Sequence, residues 1–453
     1  MKALVPVVLL VALPAVGTRD AGPAVDSADA AASAIASDTV RTTSDWLALL
    51  PDGETKRRFI LDCAGCHPLD DAVMTTAGAL RTREDWTRAV DLMLSFAGGH
   101  TGFPIMAPSR ESGATAAWLV QHLTALPPAP AVRPAAAGWE VTEFPLPRPT
   151  DLPHDVGIAH DGRVIVTGMM SNVLYALDPR TGSFEELPLL PAPGANPRAI
   201  EIGPDGAWWV VLGGPTRLAR RDPDSGAWRS WNVGVYPHEA AVDSSGRAWF
   251  NGHFTKEPEI LGHVDPAAAG ESTVTFDAPV PAMDDGGSTI PYGLRVAPDG
   301  TIWMTELTGG RLIGLDPATG EFRVHPLPEP FSGPRRLDVA ADGTVWIPEF
   351  ASGRLAAFDP ANSRFREYPI PIPDALPYVA RVDRRSGAVW ISLAGAGALA
   401  RFDPSTEAFE IVPLPTRDGI VRHLAIDPRT GAVWGAYGSF PARSQYVFRV
   451  RRR

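Results

Sequence analysis

The chain has 453 residues, more than one ordinary core requires, so we expect two folded units. It is 45% hydrophobic and 21% charged, which is typical of a globular protein and excludes a disordered one. The net charge of −11 argues against a nucleic-acid partner, because such a partner requires a basic face. The 43 glycines and 46 prolines favour many short strands joined by turns.

Residues 1–17 are predicted to be a signal peptide. Lys2 provides a basic start, residues 3–16 an apolar stretch, and Ala15-Val16-Gly17 a small-residue cleavage site. The apolar stretch is shorter than the roughly 20 residues of a membrane helix, although an uncleaved anchor is the alternative. We expect an exported bacterial protein, periplasmic or secreted, with no membrane span after cleavage and a flexible tether at 18–42.

The two cysteines lie in one motif, Cys63-Ala64-Gly65-Cys66-His67. This C-x-x-C-H spacing indicates covalent attachment of haem c. Two thioethers hold the porphyrin and the following histidine presents its imidazole to the iron. A redox dithiol and a plain disulfide are the alternatives. Export agrees with the motif, because bacterial haem attachment takes place outside the cytoplasm.

Residues 43–126 are predicted to form a small all-α domain around this motif. A helix is expected over 54–61, and Thr82-x-x-Asp85 predicts a capping box before a second helix. The stretch resembles the small class I cytochromes c, in which terminal helices pack together over the haem. Phe59 and Trp118 suit that helix contact.

Met106 is the predicted sixth iron ligand. It lies 39 residues after His67 in a proline-bracketed loop, where the resembling family carries its distal methionine. A thioether ligand would raise the reduction potential. His100 is the competing ligand, and an open coordination site is the third possibility.

A Pro/Ala linker at 127–138 precedes a repeated region at 139–453. Three residues after a recurring turn glycine stands a bulky apolar residue, which is tryptophan in six of seven repeats. These positions are Ile165, Trp209, Trp249, Trp303, Trp346, Trp390 and Trp434. The glycine spacings are 44, 40, 54, 43, 44 and 44 residues, which predicts propeller blades. The predicted fold class is therefore mainly β, a seven-bladed β-propeller preceded by the helical domain.

The ring is predicted to close through the segment Trp139–Leu146. The seventh repeat ends without an outer strand, and this segment has the outer-strand pattern. Pairing it with the last repeat removes an exposed edge.

Each blade is expected to place one bulky polar residue at the start of its inner strand, facing a central funnel. These residues are His154, Arg198, His238, Tyr292, Arg335, Tyr378 and Arg422. The second strands end in Asn251, His253, Glu306 and Glu349 on the same face. The alternative is that these residues only bind water and tie the blades together.

The blades resemble the streptogramin lyases, typified by virginiamycin B lyase, across residues 139–453. The matching motifs are Pro153-His154-Asp155-Val156, Pro237-His238-Glu239-Ala240, Trp303-Met304-Thr305-Glu306 and Trp346-Ile347-Pro348-Glu349. The resemblance implies an elimination in which His238 or His154 moves a proton and Mg²⁺ on Glu306 or Glu349 stabilises negative charge. Here the histidines and glutamates fall in different blades, which departs from the family pattern.

Three functions follow from the sequence. The first is electron transfer by the haem domain, with the propeller binding a redox partner protein or a small-molecule substrate. The second is a Mg²⁺-dependent lyase, and the third is a non-catalytic binding scaffold. Fusion to a haem motif favours the first, because elimination requires no redox group.

Overall fold

The computed structural model describes residues 40–130, 137–189, 194–214, 216–255, 258–281, 283–284, 286–438 and 445–453. The predicted signal peptide, nearly all of the tether and half of the linker lie outside these residues. Among the described residues, no helix combines the length and apolar composition that a membrane crossing needs.

The region 43–122 is helical. Its helices are α1 (Thr43–Leu47), α2 (Glu54–Cys63), α3 (Asp71–Met74), α4 (Arg83–Ala97) and α5 (Ser112–His122). A small hairpin of β1 (Thr75–Thr76) and β2 (Ala79–Leu80) was not predicted.

The predicted capping box at the start of α4 is present. Thr82 accepts a hydrogen bond from the Asp85 amide, and the Asp85 carboxylate accepts one from the Thr82 amide. Helices α2 and α5 contact through Phe59 and Trp118, whose ring centroids are 5.6 Å apart, as the sequence indicated. Trp46 and Met74 are fully buried between the helices.

In the part of the chain that the structure describes, residues 139–452 form seven four-stranded antiparallel sheets arranged as propeller blades. The strands of blade 1 are Pro153–Ile158, Val164–Gly168, Val173–Leu177 and Phe184–Pro188. Those of blade 2 are Pro197–Ile202, Trp208–Leu212, Arg217–Arg221 and Trp228–Asn232. Those of blade 3 are Pro237–Val242, Ala248–Gly252, Glu259–Val264 and Thr273–Ala278. Those of blade 4 are Pro291–Val296, Ile302–Glu306, Arg311–Asp316 and Glu321–Pro326.

The remaining blades follow the same order from the axis outward. The strands of blade 5 are Asp338–Val339, Val345–Glu349, Arg354–Asp359 and Arg364–Pro369. Those of blade 6 are Pro377–Val382, Val389–Leu393, Ala398–Asp403 and Ala408–Pro413. Those of blade 7 are Ile420–Ile426, Val433–Gly438, Tyr446–Arg452 and Trp139–Pro145. The predicted seven-bladed propeller is confirmed.

Blade 7 is closed by the two ends of the repeated region. Trp139–Pro145 pairs antiparallel with Tyr446–Arg452, from Trp139 opposite Arg452 to Pro145 opposite Tyr446. The predicted closure is therefore correct, and it leaves no unpaired outer edge on the third strand. The seven bulky repeat positions are all buried between neighbouring blades, which explains their regular recurrence.

Candidate functional site at the propeller funnel

The polar residues at the funnel come from a repeated irregularity of the inner strands. In six blades a β-bulge interrupts the pairing of the first two strands, for example between Pro153 and Val156. A bulge places one extra residue on the strand, so two successive side chains of a blade can approach the axis. The first of these are the predicted residues, one from each blade, which we call the funnel cluster. It comprises His154, Arg198, His238, Tyr292, Arg335, Tyr378 and Arg422.

Contacts bring most of the funnel cluster together. Arg335 Nη1 donates to the Tyr292 hydroxyl (2.7 Å), and the Tyr292 and Tyr378 hydroxyls are hydrogen-bonded to each other. The Arg335 guanidinium also lies 4.2 Å from the Tyr378 ring centroid. His238 packs on Tyr292, with their centroids 4.1 Å apart. Arg198 contacts the hydroxyl of Tyr236.

The histidines of the funnel are neutral near pH 7. Burial lowers the pKa of His154 to about 3 and that of His253 to about 3, and it holds the pKa of His238 well below its usual value. His238 stacks on His253 at a centroid distance of 4.3 Å, and its Nδ1 lies 3.0 Å from the Tyr292 carbonyl oxygen. A neutral imidazole can accept a proton, although its depressed pKa makes it a weak base.

The sequence analysis gave no role to the second bulge residue of blades 1, 3 and 7, which is Asp155, Glu239 and His423. These residues and their neighbours form a second, deeper layer, which we call the channel network. It comprises Asp155, Glu239, Arg295, Arg336, Asp338, Arg381 and His423. The signal was available in the sequence, because each residue of the channel network stands one or three positions after a funnel residue.

The channel network spans the ring. Arg336 of blade 5 pairs with Asp155 of blade 1 at 2.6 Å. Glu239 of blade 3 accepts from Arg295 at 2.9 Å and from Arg381 of blade 6 at 3.4 Å. The Arg336 charge holds the pKa of Asp155 well below its usual value, against the opposing effect of burial. These buried ion pairs link strands on opposite sides of the ring below the funnel.

The predicted lyase carboxylates lie elsewhere. Glu306 is hydrogen-bonded to Arg311 and lies beside Glu259, between blades 3 and 4. Burial and this neighbouring carboxylate raise the pKa of Glu259 to about 10. Glu349 accepts from the Ser352 hydroxyl at 2.6 Å. The described contacts do not join either predicted glutamate to His154 or His238, and the described residues hold no group of three or more potential metal-ligating side chains.

The helical region covers the mouth of the funnel. Arg422 Nη2 donates to the Cys66 carbonyl oxygen at 2.8 Å. Gly65 packs against Arg335 so closely that a Cβ at this position would overlap Nη2. Because Gly65 has no side chain, the Arg335 guanidinium can pack against the backbone of the C-x-x-C motif. The linker therefore joins two regions that dock on each other.

Polar and apolar contacts together hold this docking. Lys56 pairs with Asp374 at 2.7 Å, and the Ser44 amide donates to the Gly395 carbonyl oxygen at 2.8 Å. Phe103 packs edge-on against Phe254, with centroids 5.0 Å apart. One apolar cluster contains residues of both regions: Trp46, Phe59, Leu61, Tyr292, Phe350 and Ile420 are among its members. Burial on this scale stabilises a fixed interface.

The Cys-x-x-Cys-His segment has the donor set that a covalent haem requires. Both cysteines are free, Cys66 is exposed and Cys63 is half-buried. Desolvation raises the pKa of the Cys63 thiol to about 12, which differs from the low-pKa thiolate of a redox dithiol. His67 Nδ1 lies 3.0 Å from the Pro68 carbonyl oxygen. A proton on Nδ1 would make this a hydrogen bond and leave Nε2 free as a ligand, so the residues present fit the group.

Met106 is buried, and its loop is tied to α2. The Met106 amide donates to the Ala97 carbonyl oxygen (2.8 Å) and the next amide, of Ala107, donates to Asp62 Oδ1 (3.2 Å). Arg110 pairs with Asp62 Oδ2 at 2.6 Å. Asp62 directly precedes Cys63, so one carboxylate connects the motif with this loop. The competing ligand, His100, is exposed.

Comparison with known proteins finds relatives of the propeller. The model of the virginiamycin B lyase family matches residues 277–439, from the end of blade 3 into blade 7. A streptogramin B lyase structure is similar with a TM-score of 0.61 and 19% identity, covering 71% of this chain and 100% of that one. The structure of virginiamycin B lyase from Staphylococcus aureus is similar with a TM-score of 0.59 and 18% identity, covering 69% of this chain and 99% of that one. The structure of YCF48 bound to D1 peptide is similar with a TM-score of 0.53 and 14% identity, covering 70% of this chain and 97% of that one.

These likenesses support a propeller similar to that of the virginiamycin B lyases, and at such identities they carry the fold alone. No curated protein sequence matches the chain. The comparisons favour the lyase-like or binding-scaffold interpretation of the propeller and give no support to a cytochrome c domain or to haem electron transfer. Propellers that bind a peptide or small molecules are consistent with a general binding role.

Proposed function

We propose that this chain is an exported c-type haem protein, in which the propeller is the scaffold that holds an electron-transferring helical region over its funnel. The observation that carries the proposal is the Cys63-Ala64-Gly65-Cys66-His67 segment with free thiols and with His67 Nδ1 directed at the Pro68 carbonyl oxygen. This geometry argues for the haem motif from the chain's own residues. The comparisons do not contribute to it.

Cys63 and Cys66 would hold the group through thioethers, and His67 and Met106 would be its iron ligands. Haem bound in this way supplies a one-electron Fe(III)/Fe(II) couple. The chain's own contribution is positional. Arg422 and Arg335 fix the backbone of the motif against the funnel, while Asp62 fixes the loop that carries Met106. Electron exchange with a partner protein, or with a small molecule at the funnel, would take place where the Cys-x-x-Cys-His segment meets the funnel.

The test is the optical spectrum of the protein expressed with the haem-maturation machinery. We expect a sharp reduced α-band, and a weak far-red band of the oxidised protein that Met106→Ala abolishes. The matched control is His100→Ala, which should leave both bands unchanged. Absence of covalent haem would refute the proposal and leave Cys63 and Cys66 as a dithiol or disulfide. A low-spin wild-type spectrum that lacks the far-red band, and that becomes high-spin in His100→Ala, would transfer the ligand role to His100, because a bis-histidine haem has no such band.

A second candidate is a lyase in the propeller, favoured by the family match over residues 277–439 and by the stacked pair His238 and His253. It would act on an ester or lactone, with His238 or His154 moving the proton and Mg²⁺ bound near Glu306 or Glu349. Activity should then require Mg²⁺ and persist in Cys63→Ser/Cys66→Ser. Ligand binding without turnover, in both the wild type and the Cys63→Ser/Cys66→Ser variant, would leave the scaffold function.

A further inference from the structure

The funnel cluster contains more buried positive charge than its surroundings neutralise. Arg198, Arg335 and Arg422 of the funnel cluster, with Arg336 of the channel network, lie near His253 or Tyr378. Arg335 and Arg336 are 2% and 0% exposed. Among the ion pairs of the described residues, only Arg336 of these four has a carboxylate partner, Asp155. A buried charge without a counter-charge is strongly unfavourable.

The same guanidinium groups have unused hydrogen-bond donors. Nε of Arg198, Nε of Arg335, and both Nε and Nη2 of Arg336 are buried without a partner. Such donors are nearly always satisfied in native proteins, by protein, water or ligand. An arginine fork matches an oxyanion in particular, because it presents parallel donors to two oxygens.

The neighbouring side chains reinforce this polarity. Although burial opposes the effect, the charges of Arg335 and Arg422 lower the pKa of Tyr378, which is a sign of a locally positive field. His238 and Tyr292 line the same space and are themselves in ring contact. Neutral imidazoles and phenols can donate hydrogen bonds to an anion without adding negative charge.

We propose that the floor of the funnel is a binding site for a small oxyanion, a carboxylate or an inorganic one, held by Arg335, Arg336 and Arg198. The site lies below the Cys-x-x-Cys-His segment, where the funnel cluster meets the channel network through Arg336. Arg198 and its neighbour Tyr236 are half-buried, whereas the other members of the funnel cluster are buried. The proposal does not depend on the haem assignment, since it uses propeller residues alone.

The oxyanion has two possible sources: a free anion from solution, or a carboxylate of the proposed covalently attached haem. We assign the free anion, because half-buried Arg198 and Tyr236 connect the site with solvent. The experiment is isothermal titration of the full-length protein with sodium acetate and with sodium sulfate, in a chloride-free HEPES buffer of constant ionic strength. We expect saturable binding of at least one of these probes, at one anion per chain.

Variants distinguish anion binding at this site from anion binding at surface arginines. Arg335→Gln and Arg198→Gln should each weaken binding at least tenfold. Arg366→Gln is the matched control, because it removes an arginine whose exposed pair with Glu407 lies on the outer rim, and its affinity should be unchanged. If Arg335→Gln fails to fold, Arg198→Gln decides, since its side chain is only half-buried.

No saturable binding of either probe, or equal affinity in Arg198→Gln and the wild type, would overturn the proposal. The titration is repeated with Cys63→Ser/Cys66→Ser to separate the two sources. Equal binding in that variant supports the free anion. Binding that occurs only in that variant would mean that the attached group fills the site, and would also overturn it. Haem attachment is read separately from the spectrum, so the failures of the two proposals are distinguishable.

Discussion

Arg422 Nη2 lies 2.8 Å from the carbonyl oxygen of Cys66, although 356 residues separate them in the chain. This hydrogen bond joins the innermost strand of blade 7 to the backbone of the Cys-x-x-Cys-His segment. The motif is thus held at the end of the propeller axis and does not swing freely on its linker. The helical region and the funnel therefore form one packed structure.

The interface pair Lys56 and Asp374 should be important for docking. Both side chains are buried, at 4% and 13% exposure, so replacing one partner leaves an uncompensated charge. We expect Lys56→Met to lower the free energy of unfolding by about 3–5 kcal/mol. Denaturant unfolding measures this effect.

The exposed pair Arg58 and Glu54 is the control for that change. Because both side chains are solvated, Glu54→Gln, which keeps the contact of Arg58 with Phe331, should cost less than about 1 kcal/mol. The double variant Lys56→Met/Asp374→Leu should be less destabilised than the sum of its single changes. Additive effects would contradict direct coupling of Lys56 with Asp374.

Closure of blade 7 should depend on pH through Glu143. Burial raises the pKa of this carboxyl from its usual 4.5 to about 7, although hydrogen bonds from Thr416 oppose the shift. Between these values the folded state binds more protons than the unfolded state, so stability falls as pH rises from about 4.5 to 7. Glu143→Gln mimics the protonated acid and should raise Tm at pH 8 while changing it little at pH 4.

Glu140, three residues before Glu143, is the control, because its pKa is shifted in the opposite direction. Its pKa is lowered, first by the hydrogen bond from Arg451, so its ionised form stabilises the folded state at neutral pH. Glu140→Gln should therefore lower Tm slightly at pH 8 or leave it unchanged. Thermal unfolding between pH 4 and pH 8 tests both variants, and a flat wild-type profile would contradict the Glu143 prediction.

Asp62 should position Met106 in the haem-loaded protein. Its carboxylate accepts from the Ala107 amide and from Arg110, and Asp62→Asn weakens both contacts because the charge is lost. We expect a weaker far-red band of the oxidised protein and a lower reduction potential, with the covalent haem content unchanged. Spectroscopic redox titration measures this. An unchanged band and potential would exclude Asp62 as a positioning residue.

The cross-ring pair of Asp155 and Arg336 should stabilise the propeller. Both side chains are almost completely buried, and Asp155→Asn removes the only ion-pair partner that the described residues give to Arg336. We expect a loss of about 3–5 kcal/mol in the free energy of unfolding, measured with urea. Asp161→Asn, at an exposed turn in the same blade, should cost below about 1 kcal/mol.

The sequence by itself determined the propeller. The repeat of about 44 residues fixes the blades because each Trp must be buried between two of them, as Trp209 and Trp390 are. The pairing of Trp139–Pro145 with the last strand also followed from counting strands. The funnel cluster could be named because one polar residue recurs at the same register of every blade.

Only the tertiary structure decided which of these residues meet. Asp155 and Arg336 are 181 residues apart, and a local pattern carries no information on which blade faces which across the axis. The structure likewise separates Glu306 from His238 in the described contacts and brings Arg335 against Gly65. Repetition specifies each blade through local burial, but contacts across the ring and between the two regions depend on how many blades close and where the helices dock.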